Sequence, residues 1–221
     1  MDRPSLAIFI HEIRNQCLYT EAAFSIFNQS LEQRVANGAF LAANSVLMAA
    51  SQIAATIWPT RARSKKRGEV LREVLQLPEK HALNDRRIIE IWEHSDEKLE
   101  EWVGATKGHH VIFDHIGPLD EFTKFPVAEG NIYRMYDPKT TIFYFRGDGF
   151  KLKVIADSIS DIYSRTNAVH RQMLPEQHTE VPQANGPTTI SATGEADGES
   201  DAPNGNGKGK PATAKKRENK A

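Results

Sequence analysis

The stretch "GAFLAANSVLMAASQIAATIW", Gly38 to Trp58, carries no charged side chain over roughly the length that crosses a bilayer. Such a segment either spans a membrane or is buried on most sides within a bundle of helices. Five basic residues follow it, Arg61, Arg63, Lys65, Lys66 and Arg67, as a cytoplasmic anchor would. The run itself argues the other way. It is rich in alanine and holds Asn44, Ser45, Ser51 and Gln52, all poorer in lipid than Leu or Val, whereas small side chains let neighbouring helices pack closely. A bundle helix is therefore expected, with no stable membrane association. A tether through residues 38–58 remains a further alternative.

A bundle needs partner helices, and the sequence supplies them. From Ser5 to about Val35, apolar residues return every three or four positions (Leu6, Phe9, Ile10, Ile13, Cys17, Phe24, Phe27, Leu31), which predicts a long helix. Asn37-Gly38 predicts the turn after it, and Pro59 closes the second helix, so the two should pair antiparallel. Residues 60–70 read as a basic connector, followed by a short helix before Pro78. Asn84 reads as the N-cap of one continuous helix with Ile88, Ile91, Trp92, Leu99, Trp102 and Val103 on its apolar side.

The pattern changes after Gly104. Two short runs rich in Ile, Tyr, Phe and Thr flank Asp137-Pro138-Lys139 and end at Gly147-Asp148-Gly149, which predicts a β-hairpin at about 131–146. Two strands alone are marginal in water, so the hairpin must lie on the helices. A last helix is expected from about Lys151 to Met173. Beyond Pro175 the chain lacks the apolar residues that offset the entropy of ordering. The expected architecture is mainly α: a helical bundle over residues 1–174 with a small inserted β-hairpin, and a disordered C-terminal tail over 175–221. A formal net charge of -1 gives no global reason to expect a nucleic-acid or membrane partner. The lone Cys17 cannot form an internal disulfide, and the start of the chain has no secretory pattern, so a cytoplasmic protein is expected.

Within the helix expected from Asn84, Arg87 and His94 lie seven residues apart, within about 20 degrees of each other around the axis. Glu90 lies between them, placed to pair with Arg87 or to orient His94. Cleaving RNA without a metal takes a proton acceptor for the 2′-hydroxyl and a cation for the charge growing on phosphorus, and His and Arg suit those tasks. The same residues also make an ordinary solvated helix face. His109, His110, Asp114 and His115 lie close together but match no standard metal spacing, and read as a polar loop entering a strand. Arg146 to Gly149, "RGDG", reads as a turn. His11, Arg14 and Asn15 share a polar face of the first helix. No residue is assigned to a cofactor or a metal.

The order of long helix, small-residue helix ending in "IWP", basic connector, "RGEVLREVLQL", "EHSDEKLEEW", hairpin and last helix resembles the HEPN superfamily, in particular bacterial HEPN-like proteins with an R-N-x-x-E-H motif followed by D-E-[RK]-L. The likeness covers roughly Leu6 to Met173 and is sharpest at Glu93, His94, Asp96, Glu97, Lys98 and Leu99. Ile89 and Glu90 stand where the motif has arginine and asparagine, so the motif is degenerate and Arg87 is the substitute cation. The resemblance implies a homodimer and an RNA-directed protein of the metal-independent endoribonuclease lineage, with Arg87, Glu90, Glu93 and His94 as its catalytic residues. The alternative is a non-catalytic HEPN-like module that binds a protein, RNA or a nucleotide.

Overall fold

A computed structural model describes residues 1–122 and 127–174. The segment 175–221, expected to be a disordered tail, lies outside the described residues. Among the described residues six α-helices and four short strands follow one another: α1 (Arg3–Glu32), α2 (Ala36–Ile57), α3 (Lys65–Val74), α4 (Arg86–Ile89), α5 (Ser95–Ala105), β1 (His115–Ile116), β2 (Arg134–Asp137), β3 (Ile142–Phe145), β4 (Asp148–Lys151) and α6 (Leu152–Met173).

Helix α1 begins at Asp2, whose carboxylate accepts from Ser5 N, and pairs with α2 along most of its length. The turn between them is not at Asn37-Gly38, which lie inside α2. It falls at 33–35, where Arg34 takes the left-handed conformation (φ 58°). Gly38 is needed for a different reason. A Cβ there would come within 2.5 Å of Ser30 Oγ, so glycine lets the start of α2 press against the end of α1.

Helix α2 is long and apolar enough to cross a membrane. Most of its side chains, from Ala39 and Phe40 to Ile53, Ala54 and Ile57, are buried against the rest of the protein. That burial accounts for its lack of charge without a bilayer, while Leu41 and Met48 face outward. Its C-terminal carbonyls are satisfied by α3 and the connector it begins in: Arg67 donates to Ala55 O and Thr56 O, and Arg72, in the last turn of α3, to Ile57 O. Part of that connector is helical, since α3 already starts at Lys65.

The expected hairpin is present as β2 and β3, paired antiparallel with Met135 opposite Tyr144 and Tyr136 opposite Phe143. The sheet is larger than expected. Asp148–Lys151, which overlaps both the turn expected at Gly147-Asp148-Gly149 and the expected start of the last helix, forms β4 antiparallel to β3, and β1 adds parallel to β2. Arg146 and Gly147 make the two-residue β3–β4 turn, both at positive φ (50° and 84°), the geometry that matches strand twist in tight hairpins. Alternation along the strands gives the sheet two buried faces. Tyr136, Phe143, Phe145 and Phe150 join the helical core, while Met135 and Tyr144 pack with Ile112 and Ile132 in a second, smaller core.

The helix expected from Asn84 to Trp102 is not continuous. It is capped by Asp85 rather than Asn84, stops after Ile89, and resumes at Ser95. The break lets Ile88, Ile89 and Ile91 all reach the core, which a single helical stripe does not allow for positions spread this widely around an axis. The carbonyls it releases are taken up by side chains. Ile89 O accepts from Ser51, Glu90 O from Lys98 and Ile91 O from Arg146, which also donates to Ser95 O in the first turn of α5 at 2.9 Å. Beyond the break, Leu99 and Val103, expected on the apolar side, are exposed, and Trp102 carries the packing of α5, its Nε1 donating to Gly130 O.

Candidate functional site

Because the helix breaks, Arg87 and His94 do not share a face. His94 occupies the left-handed region (φ 50°, ψ 47°) at the start of α5, where it is 71% exposed and has Glu97 3.6 Å away. Arg87 belongs to α4. Its guanidinium makes a two-pronged contact with Asp85 (Nη2–Oδ2 2.7 Å, Nε–Oδ1 3.2 Å), lies 3.8 Å from Asp148 and stacks over the Phe150 ring. Hydrogen bonding to Asp85, working against desolvation, holds its pKa above the ordinary arginine value. Burial pushes the Asp85 carboxyl up, but the hydrogen bonds from Arg87 outweigh it and leave Asp85 below the usual carboxylate range. Glu90 pairs with Arg86 (2.8 Å), not with Arg87 or His94. Glu93 is half-buried at the break, its N–H donating to Glu90 O. Arg87 and Glu90 do line one cleft of about 300 Å³, together with Lys98 and Arg146 from outside the expected set. His94 does not.

The left-handed backbone at His94 offers a direct check on its role. A non-glycine residue there carries strain of about 1–2 kcal/mol, so His94→Gly should hold or raise the melting temperature. A fall of several degrees would show that the imidazole makes a stabilising contact.

A second polar cluster lies where α1 meets α6. His11 Nδ1 is 3.0 Å from His170 Nε2, with the rings stacked at 5.2 Å, and His11 Nε2 is 3.0 Å from Asn15 Nδ2. One turn along, Arg14 Nε donates to Asn167 Oδ1 at 3.1 Å. The antiparallel run of the two helices produces this register: moving up α1 from His11 to Arg14 matches moving down α6 from His170 to Asn167. In the tautomer in which Nε2 accepts from the Asn15 amide, His11 Nδ1 is the donor to His170 Nε2. His170 is 1% exposed; His11, Arg14 and Asn15 are half-buried at the edge of the seam.

The three α1 residues were visible in the sequence as a polar face, but their partners on α6 were not assigned. The available signal was the spacing of Ile162, Thr166 and His170 by fours, which puts two polar side chains in the core-facing stripe; Thr166 is fully buried. Nearby Cys17 is buried, which pushes its thiol up to about 12 and leaves it a neutral packing group. The histidine-rich segment 109–115 does enter a strand, β1, with His115 near Glu121 (3.4 Å); among the described residues no group of three or more side chains is arranged to hold a metal.

No protein-family model, curated protein or solved structure matches the chain.

Proposed function

We propose that the protein acts on RNA as a metal-independent endoribonuclease of the HEPN-like kind its sequence resembles, with the chemistry at the α1–α6 seam. The observation that carries this reading is the contact between His11 and His170 beside Arg14. In the tautomer that accepts from Asn15, His11 Nε2 is the basic ring nitrogen, on a residue half-buried at the edge of the seam. A 2′-hydroxyl that displaces the Asn15 amide gives its proton to Nε2, the freed oxygen attacks phosphorus, and the departing 5′ oxygen is protonated by water. The products are a 2′,3′-cyclic phosphate and a 5′-hydroxyl. Arg14, a fork-shaped cation, answers the charge growing on the phosphoryl oxygens. His170 is a positioning residue that fixes the ring and tautomer of His11 from behind. Arg87 suits the cationic role less well, since Asp85 already neutralises it. By the same resemblance the working form is a homodimer.

One observation favours the non-catalytic alternative: both ring nitrogens of His11 already have partners, as in a seam that only holds two helices together. Cleavage of single-stranded RNA in EDTA, with the ends mapped, decides between them. The expected result is cyclic-phosphate ends, a loss of about 10²–10⁴-fold in His11→Ala, and full activity in His94→Ala. Loss in His94→Ala with activity kept in His11→Ala would return the chemistry to residues 85–98. Absence of any EDTA-resistant cleavage by the wild-type protein would leave the binding module as the function.

A further inference from the structure

Burial explains the missing charge on only one side of α2. Its exposed positions Leu41, Ser45, Met48 and Gln52 follow one another at intervals of four, three and four, so they form a single stripe along the helix. None of them is charged. Leu41 is 68% exposed and Met48 43%, and beside them on α1 stands Tyr19 at 59%; with Gln16 and Ser45 these residues line a shallow groove of about 380 Å³.

Helix α6 shows what a solvated face of the same length looks like in this protein. It too has 22 residues and one buried side, yet its outer side carries Lys153, Asp157, Asp161 and Arg165, joined in two ion pairs four residues apart. A helix that meets only water has no reason to exclude such groups, whereas the centre of a protein–protein interface is depleted in charge and enriched in Tyr and Met. Single exposed apolar residues are ordinary. Here they line up, with no charge among them, at the four-three spacing of a seam between two helices.

We propose that this face is where two copies of the chain meet, α2 against α2. A twofold axis lays a patch on itself, so a charge near its centre would meet its own like; α2 has none from Ala36 to Ile57. The area is also sufficient. With α2 about 33 Å long and the α1–α2 pair about 20 Å wide, each copy offers about 650 Å², and two copies together bury about 1,300 Å², within the range of stable interfaces. An antiparallel crossing centred on Ser45 sets Leu41 of each copy against the partner's Met48, and the small Ser45 lets the two axes approach. This face locates the homodimer of the proposed function and does not rest on the chemistry of the α1–α6 seam.

Sedimentation of the full chain at about 50 µM, above the dissociation constants usual for interfaces of this size, should show a dimer. Leu41→Glu/Met48→Glu puts like charges on both sides of the axis at solvent-facing positions. It should raise the dissociation constant at least about 100-fold while the far-UV circular dichroism stays that of the wild type. Val154→Glu, on α6 and as exposed as Met48 (43%), should leave the dimer intact. Ser45→Cys should cross-link to its own copy on oxidation with diamide, since Cys17 is buried and does not compete. A monomeric wild-type protein, a dimer that survives the double substitution, equal weakening by Val154→Glu, or failure of Ser45→Cys to cross-link would overturn the proposal; a wild-type monomer that floats with lipid vesicles would give the stripe to a membrane instead. His11→Ala should still dimerise whatever becomes of RNA cleavage, so the two readings fail separately.

Discussion

Arg146→Ala should lower the melting temperature by roughly 10 °C, one of the largest effects of any single substitution at a partly exposed position. Three of its hydrogen bonds cross 51 to 55 residues of sequence, reaching Ile91 O, Ser95 O and Ser95 Oγ, and its guanidinium lies 4.6 Å from the centre of the Phe145 ring. Burial pulls its pKa below the ordinary arginine value, with Tyr133 and Asp148 opposing the shift, so some of the gain is spent on desolvating the charge. Removal nevertheless strands the Ile91 carbonyl, released when the α4–α5 helix broke, and loses the two bonds to Ser95. A net loss of about 3 kcal/mol follows from a group of charge-assisted bonds with that offset; at about 3 °C per kcal/mol for a domain of this size, the shift is near 10 °C. Arg146→Lys should recover part of it, since one ammonium cannot span both carbonyls. Arg86→Ala, on the exposed side of the same cleft, should cost less than about 0.5 kcal/mol. Equal melting of the Arg146→Ala and Arg86→Ala proteins would refute the capping role.

Phe143→Ala should be at least as damaging. Phe143 is fully buried on the helix-facing side of β3, opposite Tyr136 on β2 and Phe150 on β4, with the Phe40 ring of α2 6.4 Å away. Truncation removes packing from both layers at once and leaves a cavity that neither sheet nor helix can close alone. The expected cost is about 3–5 kcal/mol, read as a shift of the urea midpoint at constant slope. Phe143→Leu, which keeps most of the volume, should cost less than half as much. A midpoint unchanged in Phe143→Ala would mean that the sheet does not rest on α2.

The periodic parts of this fold were legible in the sequence for a physical reason. Helices α1, α2 and α6 bury one face along many turns, so their apolar spacing repeats often enough to fix both type and approximate ends. The region 84–102 was misread because the spacing of Ile88, Ile91 and Trp92 suits a helix locally. What breaks it is remote: Ser51 on α2 and Arg146 in the β3–β4 turn supply the donors that make released carbonyls tolerable. A pattern confined to one segment cannot reveal donors 38 or 55 residues away. Strand β4 was hidden for a related reason. Gly147-Asp148-Gly149 has the composition of a turn, and only pairing with β3 makes Asp148 to Lys151 extended. At the α1–α6 seam, His11, Arg14 and Asn15 were recognised as a polar face, but only the antiparallel register brings His170 and Asn167 to them.

That register also governs when the seam can exist during folding. Helices α1 and α2 adjoin in the chain and can associate after closing a loop of only a few residues, whereas His11 and His170 meet across 159 residues. Helix α6 leaves the sheet directly from β4, whose turn with β3 is bound to the 91–95 bend. The two imidazoles therefore come together late, when the last helix returns to the first. A nascent chain still lacking residues 152–173 can hold the α1–α2 pair without the histidine cluster, so any chemistry at the seam is withheld until the domain has been made to its final helix.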